Sequence, residues 1–204
     1  IARSHTDEFK ALEAEYEGHV FFKSVDLADC ENVRQNVFKD FCGNKVQIDG
    51  YVNNAAVAYD DIVTNLNLER LQAMYNVNVF TPMMMTKNVI RNMLLHKTKG
   101  AIIHISSISV HTGYKGLAMY ASSKGALEAF SKDTAREWGL LGIRSNVVVP
   151  GFMATAMSST LTDEQRSKIY ARTSLKAATS IRSVAETVAF LVSEKAESIT
   201  GQNI

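Results

Sequence analysis

The 204 residues carry 22 Lys and Arg against 21 Asp and Glu, a net charge of +1 that offers no strong field to nucleic acid or to an anionic membrane. Hydrophobic residues make up 46% of the chain, an ordinary share for one folded domain over residues 1–204 with a substantial core. No apolar run approaches the ~20 residues of a membrane span, and nothing after Ile1 reads as a signal peptide.

Ile1-Ala-Arg-Ser reads as the end of a strand, followed by a helix that Ser4 or Thr6 caps and that carries Glu8, Leu12 and Tyr16 before Gly18 ends it. His19 to Leu27, with Val20, Phe21, Phe22 and Val25, predicts a second strand. Glu31 to Phe41 is helical and closes at Gly43-Asn44. Cys30 and Cys42 flank that segment, whose length holds them apart, so reduced thiols and a cytoplasmic protein are expected rather than a disulfide. The five histidines lack ligand spacing, and no metal site is expected.

Val46 to Val52 forms a strand that runs into Asn53-Asn54-Ala55-Ala56. Leu66 to His96 is a long, mostly helical segment, with Asn76 and Asn78 inside it and a run of methionines at 83–85 that suits a core. Gly100 to Ile105 is a short, β-branched, buried strand that ends in Ser106-Ser107. A helix carrying Tyr120 and Lys124 continues to about Leu141, and Ile143 to Val149 is a strand that ends in Pro150-Gly151. A small helix near Asp163 to Ala171 and a last full helix over Ser183 to Ser193 complete the order. Continuous apolar strands alternating with helices of ten or more residues predict a parallel sheet covered on both faces. Such a sheet binds ligands at the carboxyl ends of its strands, where the segments of Asp26, Asn53, Ser107 and Pro150 begin.

Tyr120 and Lys124 are four apart, so on a helix they lie one turn from each other on one face. An ammonium beside a phenol favours phenolate and lowers the tyrosine pKa, which makes a usable general acid or base. A hydroxyl at a strand end, Ser107, can hold the oxygen of a reacting carbonyl. By itself Tyr-x-x-x-Lys also describes a surface helix with a lysine stem laid over a ring. Together with the upstream strand and its Ser-Ser end, the pattern resembles the short-chain dehydrogenase/reductase family over nearly the whole chain.

That resemblance implies an α/β doubly wound parallel sheet, a Rossmann-type three-layer α/β/α single domain. It implies Ser107, Tyr120 and Lys124 as catalytic residues, with Asn78 holding a water that leads protons to the lysine. Asp26-Leu27 corresponds to the segment that meets the adenine, although an aspartate there also suits a cap or turn. Asn53, Asn54 and Ala55 match the family's Asn-Asn-Ala-Gly, which braces the sheet and lines the cofactor ribose; Ala56 stands where the family has glycine. Pro150, Gly151 and Thr155 match Pro-Gly-x-x-x-Thr, which holds the nicotinamide carboxamide, while Tyr120 and Lys124 also face the cofactor. The family's glycine-rich pyrophosphate turn has no counterpart in these residues, so both ends of the domain are expected to extend further.

Family members that use NAD place an acidic residue near Ala2, whereas here Arg3 follows it, which implies NADP(H). Among family members the chain is most similar to 3-oxoacyl-acyl-carrier-protein reductases, through Asp60-Asp61-Ile62 after the asparagine pair and Pro-Gly-Phe-Met-Ala-Thr-Ala-Met with Leu161-Thr-Asp-Glu-Gln. Ser159 stands where those enzymes often carry an arginine that docks the acyl carrier protein, and Lys97 and Lys99 are the alternative basic surface. A reductase of a sugar, polyol or other small ketone is the second reading, followed by an NAD-using dehydrogenase and a regulatory protein that binds cofactor without turnover. The resemblance also implies a homo-oligomer, a tetramer or dimer, with the helices of residues 66–96 and 118–141 at its interfaces.

Overall fold

Every residue of the central strand, Ala101–Ile105 (β2), is buried, and the remaining elements are layered about it. The structure is a computed structural model that describes residues 1–43, 45–155 and 161–204. β2 pairs in parallel with Gly50–Asn53 (β1) on one side and Arg144–Val148 (β3) on the other. Ile102 and Ile143 pack with Val89, Ile90 and Met93 of α3 (Thr81–His96) and with Trp138 of α5 (Ala118–Trp138). On the opposite face Ile103, Ile105 and Val148 pack against Leu191, Val184 and Val188 of α7 (Ile181–Val192). Alternate residues of one strand thus serve two helical layers, as a parallel sheet requires. The expected three-layer α/β/α arrangement is present.

Several elements differ from expectation at their edges. The strands expected at Ile1 and over His19–Leu27 reduce to one parallel bridge, Ala2 with Ser24. Of the second segment only Val25 is buried, and Phe21 is 64% exposed, so a longer ladder would have no cover on its faces. β1 starts at Gly50 rather than Val46 because Asn92 takes the backbone first: Ile48 N–H donates to its Oδ1 at 2.9 Å, and its Nδ2 donates to Val46 C=O at 2.9 Å. The helix expected over Glu31–Phe41 is a wider turn at Arg34–Lys39, with Asp40 N–H reaching back to Gln35 C=O. The long helical segment is broken in the same way. α2 (Leu68–Tyr75) and α3 are joined by a wide turn, Asn76–Phe80, in which Thr81 N–H bonds Asn76 C=O. Of the methionine run, Met85 is buried in the cluster of Val25, Val33 and Val37.

Other ends follow the sequence closely. Thr6 caps α1 (Asp7–Glu15), settling the choice between Ser4 and Thr6. A short helix, α4 (Ser109–Thr112), fills the loop after β2 and ends at Gly113 with φ of 64°. Thr162 and Gln165 form a reciprocal cap on α6 (Asp163–Arg172), and Ser180 caps α7, which starts at Ile181, two residues ahead of the expected Ser183.

Gly100 admits β2 to the sheet. A Cβ there would lie 2.6 Å from Met93 Sδ and 3.1 Å from Asp49 C=O, at a place where Met93 is fully buried. Gly100→Ala is therefore expected to cost about 1–3 kcal/mol of stability, measured by urea unfolding. An unchanged midpoint would show that Met93 moves aside without strain.

Candidate active site

α5 begins at Ala118, carries Tyr120 in its first turn beside Tyr59, Met74 and Met119, and brings Lys124 to the carboxyl end of β2. Lys124 is 2% exposed, and its Nζ donates to the Ile105 carbonyl at 2.8 Å. Burial lowers its pKa to about 8. Two residues along the chain, Ser107 Oγ accepts from Ser109 N–H at 3.2 Å and from Ser109 Oγ at 3.0 Å. Both donors point into the Ser107 oxygen, which leaves its own O–H to be given to a ligand and polarises it for that purpose. Ile108 N–H donates to Pro150 C=O at 3.0 Å, so the Ser107 turn and the turn after β3 are one unit.

The electrostatics of Tyr120 correct the sequence reading. Burial pushes its phenol above the ordinary value, and the Asp60 carboxylate pushes it further. With Nζ 5.7 Å from the Tyr120 ring centroid and hydrogen-bonded to Ile105, Lys124 does not offset the upward push of burial and of Asp60 on the phenol. At neutral pH the phenol is protonated, the state of a proton donor.

Asn78 is fully buried, re-aimed by the wide turn at 76–80. Its Oδ1 accepts from Val57 N–H at 2.9 Å, and its Nδ2 donates to Val57 C=O at 2.9 Å and to Ser123 Oγ at 3.1 Å. Ser123 Oγ in turn donates to Tyr120 C=O at 2.7 Å. The amide thus clamps the segment after β1 to the first turn of α5, and one lone pair of Oδ1 remains for a water.

The residues expected at the cofactor divide into three groups. Leu27, Asn53, Asn54 and Ala55 line one groove of about 350 Å³, with Ala2, Tyr51 and Val77. Asn53 braces β1 to β2, its Nδ2 3.3 Å from Nδ1 of His104, the residue directly across the ladder. Leu27 is fixed by Thr81, whose hydroxyl donates to its carbonyl at 2.6 Å. Asp26 makes a turn, its Oδ1 accepting from Ala28 N–H at 2.9 Å, which agrees with the turn reading and leaves the second oxygen for a ligand. Arg3 is exposed just past the Ala2–Ser24 bridge, its carbonyl accepting from Ser24 Oγ at 2.9 Å. Pro150 is buried, Thr155 is exposed, and a Cβ at Gly151 would lie 2.6 Å from Thr179 Oγ1, so a larger residue there would have to turn that hydroxyl aside. Ser159 lies outside the described residues. Lys97 and Lys99 precede Gly100 at the amino end of β2, the opposite edge from Ser107, and so cannot serve as basic surface beside the site.

Two features escaped the sequence reading. His104 is fully buried in β2, between Tyr51 and Phe130, and burial together with the Lys124 charge lowers its pKa to about 4. Glu128, one turn beyond Lys124, is 6% exposed and receives Ser106, His111 and Asn203. Its signal was the spacing itself: Tyr120, Lys124 and Glu128 recur every four residues on one helix face.

Lys124 of α5 reaches the end of β2 just before Ser107, and a separate groove lined by Asn53, Asn54 and Ala55 opens at the carboxyl end of the neighbouring β1, an arrangement that suits an oxidoreductase of the dinucleotide-binding type. The family model described as Enoyl-(Acyl carrier protein) reductase matches residues 1–204, and the chain belongs to this family of short-chain dehydrogenases/reductases. It is similar to the 3-oxoacyl-[acyl-carrier-protein] reductase FabG of Escherichia coli (strain K12), 35% identical over 180 residues, which are 88% of this chain and 72% of that one. Among solved structures it is similar to 4-hydroxyisoleucine dehydrogenase complexed with NADH, at 25% identity and a TM-score of 0.87 over 95% of this chain and 80% of that one. A protein described as an NAD(P) dependent gluconate 5-dehydrogenase from Beutenbergia cavernae, with bound NADP, matches at 27% identity and a TM-score of 0.89, over 95% and 78% of the two chains.

Asp60 should hold the Tyr120 phenol up by its charge. In Asp60→Asn the Tyr120 midpoint, followed by NMR of ring-labelled tyrosine against a Tyr120→Phe control, is expected to fall to lower pH. A midpoint that stays or rises would remove Asp60 from the account.

Proposed function

We propose that this chain is a cytoplasmic, NADP(H)-dependent reductase of 3-oxoacyl thioesters, with acyl carrier protein as the partner that presents them. The observation that carries the reading is a Ser107 oxygen that accepts two hydrogen bonds and keeps its own O–H to give, just past the strand end that Lys124 reaches from the helix of Tyr120. A nicotinamide cofactor supplies the hydride. Its groove suits a nucleoside, with Leu27, Ala55 and Val77 among its apolar lining and the exposed Asn54 beside them.

Ser107 gives its O–H to the substrate carbonyl, and Tyr120 gives its proton to the same oxygen as negative charge develops there. Lys124, charged at neutral pH and one turn from Tyr120, would hold the cofactor's ribose and supply positive charge beside the tyrosine. Asn78, through Val57 and Ser123, keeps Tyr120 in place.

The carrier-linked substrate is supported by the FabG relative, whose identity to this chain exceeds that of the solved dehydrogenases. NADP(H) is supported by the absence of an acidic residue at Ala2 and by the exposed Arg3 beside the bridge to Ser24. A sugar or polyol dehydrogenase is the second reading, favoured by the likeness to the gluconate 5-dehydrogenase structure. Exposed apolar residues on the expected interface helices, among them Leu68, Phe80, Leu95 and Leu140, support a homo-oligomer, a tetramer or dimer.

The test is NADPH and NADH oxidation with an acetoacetyl thioester beside a panel of sugars and small diketones. Turnover is expected with the thioester, faster with NADPH, and lost in Tyr120→Phe while NADPH binding persists. Turnover confined to the sugars would keep the chemistry and discard the acyl substrate. Faster turnover with NADH would overturn the role given to Arg3.

A further inference from the structure

A carboxylate withdrawn from water must be met by donors. Glu128 is met on every side. Ser106 Oγ donates to its Oε1 in a short hydrogen bond, and Asn203 Nδ2 donates to Oε2 at 2.7 Å. His111 Nε2 stands 3.0 Å from Oε2 and 3.2 Å from Oε1. These donors come from three separate places: the end of β2, the segment that bridges to β3 through Asn203 and Val147, and α4.

Two of them bracket Ser107. Ser106 is its neighbour before, and its backbone N–H is also held by Val148 C=O at 2.8 Å. After it, Ser109 supplies both donors to the Ser107 oxygen, and His111 lies two residues further on in the same short helix. The Ser107 hydroxyl is therefore suspended between two anchors that end on one carboxylate. We propose that Glu128 is the positioning residue for Ser107, acting through Ser106 on one side and through His111 and α4 on the other. The inference rests on the reading of Ser107 as the group that holds the substrate carbonyl.

A carboxylate meets the three donors as they stand. A glutamine keeps the shape but turns an NH₂ toward Asn203 or His111, which must then flip its amide or change its tautomer and shift to stay paired.

The experiment is steady-state reduction of the acetoacetyl thioester by NADPH, with the NADPH Kd and the melting temperature measured on each variant. Glu128→Gln is expected to lower kcat about tenfold to a hundredfold, the effect of a small misplacement at a reacting group, with NADPH Kd unchanged. Combining it with Asn203→Asp, which restores an acceptor opposite the new amide, should recover most of the loss. His111→Ala removes the half-exposed anchor, should lower kcat less, and serves if Glu128→Gln does not fold. Wild-type kcat in Glu128→Gln and His111→Ala, with turnover lost in Ser107→Ala, would overturn the proposal and leave the role of Ser107 standing. A parallel loss of kcat and NADPH binding, unrelieved by the double variant, would show a merely structural role. Full turnover in Ser107→Ala would overturn the reading of Ser107 on which the proposal rests.

Discussion

The arrangement depends on a buried cation. Lys124 carries its ammonium to the carbonyl of Ile105, where the central strand ends, and it is almost sealed from water there. A pKa lowered from 10.5 to about 8 means that keeping this charge at neutral pH costs on the order of 3 kcal/mol. Core packing offsets that cost: α5 lies against β2 and β3, with Leu127 fully buried below the site. The hydrogen bond of Lys124 to Ile105 joins the helix that carries Tyr120 to the strand that leads to Ser107 and, with the Glu128–Ser106 contact and the packing of Leu127, sets the geometry there.

Around that bond the chain holds its polar groups by pairing rather than by exposure. Asn78 ties the segment after β1 to Tyr120 through Ser123. Asn53 ties β1 to His104 of β2. Glu128 gathers Ser106, His111 and Asn203. Each is a buried side chain that joins two or more elements, and such groups are costly unless satisfied. The catalytic edge of the sheet is therefore stiffened by hydrogen bonds, while its interior is packed by Ile102, Ile103 and Val147.

Much of this could be read from the residues in order. The run at 100–105 becomes β2 because it is largely apolar, the run at 143–149 becomes β3 with Ser145 and Asn146 buried and hydrogen-bonded beside its valines, and the helix of Tyr120 follows from its spacing. The edges were less legible. Nothing in Val46-Gln-Ile48 announces that Asn92, forty-four residues on from Ile48, will take its backbone N–H, and nothing in His19–Leu27 announces that its faces stay uncovered. The positions of Ser107, Tyr120 and Lys124 were legible, but the charge balance was not. The pattern Tyr-x-x-x-Lys says that the two are neighbours. It does not say that Ile105 will claim the ammonium or that Asp60 will act on the phenol. Such terms arise from segments far apart in sequence, and only the folded chain assembles them.

The buried ammonium can be tested by the pH dependence of stability in the wild type and in Lys124→Met. Between pH 8 and 10.5 the unfolded chain holds a proton on this lysine that the folded chain has released, so the wild type should gain stability there from this group. Methionine removes both the charge and the gain. Urea unfolding across that window should show the variant favoured near pH 7, relative to its standing at pH 10.5, by about 3 kcal/mol. A stability difference that stays flat with pH would contradict the account, because it would mean that Lys124 keeps its ordinary proton affinity and that the central contact carries no buried charge.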